Sequence, residues 1–236
     1  MGNTGADFET WYHRILRELP EAAGGDRGVI DLMSEINRRM SETRDEEEIL
    51  RCLELLRQAQ ALSRDNGDLF AALAVQVGLD AYHGNRFSLA ERAFRMLADS
   101  GNRVGRTNLA YMIRRGETAP ESRSLAGAME LLEPGVRDGD LFSLINMALL
   151  LALGVGGEDR WRLADRLISM TSRHTGGAMD WWGKVARAGD PEGYLVHLWL
   201  LRHGKAAESS LGTRETLYAR VSEAIPELPR WMGEPA

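Results

Sequence analysis

Gly101 to Gly116 reads GNRVGRTNLAYMIRRG. The same plan returns as GDLFSLINMALLLALG from Gly139 to Gly154 and as GDPEGYLVHLWLLRHG from Gly189 to Gly204. Each copy opens with Gly followed by Asp or Asn, holds a small residue four places on (Gly105, Ser143, Gly193), and closes with a second Gly. Gly ends a helix by taking the left-handed conformation without a Cβ clash. The Asp or Asn after it can cap the next helix through its side-chain oxygen. Recurrence of such a unit is what stacked helical hairpins look like in sequence, because a lone hairpin cannot bury its apolar face and neighbours must cover one another. The opening glycines stand 139 − 101 = 38 and 189 − 139 = 50 residues apart. The longer interval implies an insertion near Thr171 to Asp180.

Outward from these copies, apolar residues keep helical spacing. Helices are expected at Asp7–Leu19 (ended by Pro20), Val29–Met40, Asp45–Ser63, Asp68–His83 and Ser88–Asp99. Further ones are expected at Asn102–Arg115, Ser122–Arg137, Asp140–Leu153, Glu158–Ser172, Met179–Ala188, Pro191–His203 and Thr213–Ala224. The tail IPELPRWMGEPA is expected to be extended by its prolines. No stretch alternates like a strand for more than a few residues. The expected fold is all-α, an α-α superhelix in which residues 1–64 cap or pack on the solenoid, 65–205 form the repeats, and 206–236 add a capping helix and a Pro-rich tail, all in one continuous domain.

Bulk properties narrow the partners. The formal net charge is −6 over 236 residues, which argues against nucleic acid, whose affinity comes largely from neutralised phosphates. Leu141 to Gly157 is uncharged but short for a membrane span, contains Asn146, and falls in register with two polar copies, so no membrane partner is expected. The one cysteine, Cys52, excludes an intramolecular disulfide and suits a reducing, cytoplasmic setting. It sits on the stripe Ile49, Cys52, Leu53, Leu56 and reads as a small buried hydrophobe. The N-terminus has neither a basic region nor an apolar one of the secretory kind.

The residues Gly101, Asn102, Asn108, Leu109, Ala110 and Gly116 resemble the first helix of the Sel-one-like repeat (SLR), a relative of the tetratricopeptide repeat. Gly139, Asp140, Asn146, Met147, Ala148 and Gly154 match it too, and Trp182, Val185, Ala186, Gly189 and Asp190 fit its junction between repeats. Gly78, Ala90 and Phe94 are closer to the tetratricopeptide form. The motif's Tyr is replaced by Ala81, Ile113, Leu151 and Leu201. What the resemblance implies is a soluble, bacterial-type scaffold or adaptor with no reaction of its own, since fold alone carries none.

By the same resemblance, first helices line a concave groove. Its facing residues would be Leu79 and Tyr82, then Asn108, Tyr111 and Arg114, then Phe142, Ile145, Asn146 and Leu149, then Trp199 and Arg202. An apolar centre flanked by aromatics and arginines has the composition of interface hot spots, and suits a protein or peptide partner with an acidic flank. The competing reading is that these residues pack against the chain's own helices or a second copy. Asn108 and Asn146, at equivalent positions, either hold a bound backbone or fix the stack. Trp181 and Trp182 read as core. His13, His83, His174, His197 and His203 have no metal-binding spacing, and His83 and His203 suit helix C-termini. No catalytic residue, cofactor or metal site is expected. Two further readings stand beside the scaffold: a regulatory or immunity-type protein neutralising a toxin or enzyme, and a structural homo-oligomer.

Overall fold

The computed structural model describes residues 4–22, 26–63, 68–155, 159–171, 176–207 and 211–236. All six glycines that bracket the three related stretches have positive φ, from 63° at Gly204 to 98° at Gly154. At each, the glycine N–H and the next N–H reach back to helix carbonyls. Gly101 bonds Ala98 O and Asn102 bonds Leu97 O, both at 2.9 Å. Gly139 and Asp140, Gly189 and Asp190, Gly116 and Glu117, Gly154 and Val155, and Gly204 and Lys205 repeat the pattern, a Schellman ending each time. Gly84 departs from it: its φ is −84°, and Asn85 takes the left-handed position at 58°. A short polar side chain tolerates that region almost as well.

Among the described residues there are twelve α-helices. Five precede the first quoted stretch: α1 (Thr4–Ala22), α2 (Asp26–Glu42), α3 (Glu46–Leu62), α4 (Leu69–His83) and α5 (Phe87–Asp99). Four follow in pairs: α6 (Arg103–Arg115), α7 (Leu125–Arg137), α8 (Leu141–Ala152) and α9 (Arg160–Ser169). The last are α10 (Gly176–Arg187), α11 (Pro191–Arg202) and α12 (Arg214–Ala224). Asp45, Asp68, Ser124, Asp140, Asp190 and Thr213 accept a backbone N–H at the starts of α3, α4, α7, α8, α11 and α12, and Asn102 does so for α6 through Gly105 N at 3.1 Å. These caps satisfy N–H groups that a helix start otherwise leaves bare.

Two expectations are corrected. Pro20 does not end α1, which carries it in its last turn and runs on to Ala22. The tail is not extended: Arg230–Gly233 form a 3-10 turn with Met232 fully buried, because Leu228 and Met232 have apolar surface to hide and the turn folds back against α11 and α12.

The chain divides into two compact units, Met1–Leu109 and Ala110–Ala236, the division falling within α6. In the first, α3 is the hub, packing on α1, α2, α4 and α5 through Leu50, Cys52, Leu53, Leu55, Leu56 and Ala59. In the second, α8 packs on α7 and α9, and α11 on α10 and α12. Every residue of α8 except Phe142 is buried, as is every residue of α11 from Leu195 to Leu201.

One crossing recurs. A Cβ placed on Gly105 would fall 2.7 Å from Ala98 N and collide with Leu97 of α5, and one on Gly193 would fall 2.8 Å from Ala186 Cα of α10. At the equivalent junction the small pair is Gly135 and Ser143, where an added Cβ would lie 2.7 Å from Ser143 Cβ. Each contact joins residues seven or eight positions apart on the outgoing and incoming helices, so the small residue lets two helices approach nearly backbone to backbone.

Candidate interaction surfaces

In the second unit, residues expected to face a groove meet one another. The Arg114 side chain is fully buried and forms an ion pair with Glu192 at the start of α11. Its guanidinium lies 5.3 Å from the Tyr111 ring centre, and its Nη2 donates to Asn146 Oδ1 at 3.4 Å. Asn146 in turn donates to Phe142 O at 2.9 Å. Next to them, Arg115 bridges to Asp190 at 2.6 Å, Glu117 at 3.6 Å and Glu192 at 3.7 Å. The Tyr111 ring meets Trp182 edge-on, with centres 6.4 Å apart. The network therefore ties α6 to α8 and α11. A buried charge without a partner is strongly unfavourable, so Arg114 and Glu192 need each other.

Ile145, Leu149 and Trp199 are buried to 1% exposure or less. Phe142 and Arg202 are half-buried. Arg202 reaches Asp165 at 3.3 Å, donates to the carbonyls of Trp231 at 2.5 Å and Glu234 at 2.6 Å, and lies over the Trp231 ring at 4.9 Å. It fastens the tail to the end of α11. In the first unit, Leu79, Tyr82 and Asn108 are half-buried. The Tyr82 ring lies 5.7 Å from Phe87, and Asn108 donates to Val104 O at 2.9 Å within its own helix. Of the two equivalent asparagines, Asn146 joins two helices and Asn108 bonds back to its own. Leu79, Tyr82, Asn108, Phe142 and Arg202 thus keep surface, and Tyr111, Arg114, Ile145, Asn146, Leu149 and Trp199 are engaged inside the fold.

A cleft of about 350 Å³ opens between α1, α3 and α5. Tyr12, Leu50 and Met96 supply its apolar lining, with Arg51, Arg92 and Arg95 among Glu47, Glu54 and Asp99. Arg51 lies 3.8 Å from the centre of the Tyr12 ring and pairs with Glu9. Arg92 grips Glu47 through both nitrogens, at 2.6 and 3.2 Å, and that hydrogen bond holds the Glu47 carboxyl below its ordinary value of 4.5. Nothing in the sequence assembled this cleft, because its walls come from three separated helices. The available signal was the Glu47–Arg51 spacing on one face of α3.

Cys52 is buried, and burial pushes its thiol up to about 12. Trp182 is buried, as a core residue should be; residues 172–175 of the Thr171–Asp180 segment, His174 among them, and the side chain of Trp181 lie outside the described residues. His203, the residue after α11, places Nε2 2.9 Å from Asp165. His197 is buried in α11, and desolvation holds its pKa below 6.5. Among the described residues no three His, Cys, Asp or Glu side chains gather as metal ligands, and no helix is long and apolar enough to cross a membrane. The chain matches no protein-family profile, no curated protein and no solved structure.

Proposed function

We propose that the chain is a repeat scaffold of the Sel-one-like type that binds another protein and carries out no reaction itself. The observation that carries this reading is the junction built three times from the same parts. A Schellman glycine, an Asx cap and a small-residue crossing recur at Gly101–Gly105, Gly139–Ser143 and Gly189–Gly193. Helical units of one construction repeated along a chain are the hallmark of repeat proteins, whose surfaces serve recognition.

Accessible aromatic residues supply the contact, one on α4 in the first unit and one on α8 in the second. Tyr82 and Phe142 are aromatic and half-buried, so each offers a rigid apolar face at little entropic cost. The partner best suited to them is an apolar protein segment.

The test is affinity capture from the native lysate with wild type, Tyr82→Asp and Phe142→Asp, each checked by circular dichroism and by light scattering for mass. A protein retained by wild type and reduced at least about tenfold in either variant supports the reading. Equal retention by all three, or a wild-type dimer that either substitution dissolves, defeats it.

A further inference from the structure

We infer that the outward face of α9 is a second docking surface, and that its occupant is an acidic amphipathic helix from a partner protein. Arg162, Arg166 and Met170 recur at i, i+4 and i+8, so they form one line along the helix, and Leu163 stands beside it. Leu163 is 42% exposed and Met170 57% exposed, the largest exposure among the described large hydrophobic side chains. Ala164, Leu167 and Ile168 occupy the opposite face and are buried. The helix therefore carries apolar side chains on both faces, and on the outward one Leu163 and Met170 keep their exposure.

Charge decides what would cover the other. The chain as a whole is acidic, at −6, yet this face carries two exposed arginines. Asp159 lies 3.9 Å from Arg162 with both side chains more than four-fifths exposed, a separation at which solvent screens the pair. Arg166 has no ion-pair partner among the described residues. Asp165, three residues after Arg162, is held by Arg202 and His203, so its charge is already committed within the fold. A line of two guanidinium groups beside Leu163 and Met170 matches a helix with leucine or isoleucine on one face and glutamates along its edge. Methionine suits such a contact because its flexible thioether adapts to the side chain it meets. This surface lies on a different helix from Tyr82 and Phe142, so it stands or falls apart from the function proposed above.

The test uses two synthetic amphipathic helical peptides of equal length and equal leucine content, one flanked by glutamates and the other by lysines. Their binding to the full chain is followed by fluorescence anisotropy at low salt. Wild type is expected to bind the glutamate peptide at least about tenfold more tightly than the lysine peptide. Leu163→Asp/Met170→Asp removes that binding, and Arg162→Glu/Arg166→Glu reverses the preference. All four side chains are exposed, so unchanged melting curves are expected. Failure of wild type to bind either peptide, an equal response to both, or insensitivity to the two double variants overturns the inference. So does a wild-type dimer that the Leu163→Asp/Met170→Asp variant converts to monomer, since a second copy would then be the occupant.

Discussion

The hubs of the two units hide their surfaces in different ways. Helix α3 buries one stripe and keeps its outer face charged, with Glu46 near Arg86, Glu47 on Arg92 and Arg51 on Glu9. Helices α8 and α11 bury nearly everything, and the charges set against them are the buried Arg114–Glu192 pair with Arg115, and Arg202 with Asp165 at the end of α11. An exposed ion pair gains little because water solvates the separated partners almost as well. A buried one gains little over an apolar substitute, yet losing one member is severe, because the survivor has nothing to solvate it. Many ion pairs on one hub and one buried network beside the other therefore do not rank by number.

The largest test of that contrast is Glu192→Ala against Glu47→Ala. Removing Glu192 leaves Arg114 charged in the interior and is expected to lower stability by about 3–5 kcal/mol. Removing Glu47, whose side chain is 61% exposed, should change it by about 0.2–1 kcal/mol. Urea unfolding reads both, and equal losses would erase the distinction.

Next come the glycines. Gly193→Ala pushes a methyl into the α10 backbone, for a loss of about 1–3 kcal/mol or more. Gly154→Ala meets open space and bears only the left-handed penalty of about 1–2 kcal/mol. Thermal melts that order the two the other way would contradict the close crossing. Trp231→Ala takes the ring from beneath Arg202 and should lower stability by about 1 kcal/mol, read by the same melts.

The gentlest comparison is with pH. Both Glu47 and His197 have folded pKa values below their ordinary ones, so each favours the fold above its unfolded pKa and that contribution fades as acid is added. For His197 the decline begins as pH falls from 6.5, and for Glu47 only as it falls from 4.5. The second unit should therefore weaken first on acidification. Hydrogen exchange resolved by unit checks this, and His197→Phe should delay the decline.

Helix ends were the most legible part of the fold, because a cap is a local transaction between neighbours. Gly101 and Asp140 announce their geometry within five residues of sequence, and the bonds at both follow it. Pro20 misled because a proline in a last turn removes only one hydrogen bond, which the packing of α1 on α2 and α3 can outweigh. The tail misled because proline content spoke louder than Leu228 and Met232. The Arg114–Glu192 contact was illegible for another reason: its members are separated by 78 positions, and no periodicity links a helix end to a distant helix start. Apolar character at Ile145, Leu149 and Trp199 was plain from sequence, but a stripe that faces a groove and one that faces a neighbouring helix have the same spacing. Only packing distinguishes them.

Cys52 supplies a built-in clock. It is the chain's one cysteine, and both its enclosure in α3 and its raised pKa deny reagents a thiolate. Alkylation of the native protein must then wait for α3 to lift away from its neighbours, so the labelling rate counts those openings directly. The other unit has no thiol and stays silent throughout.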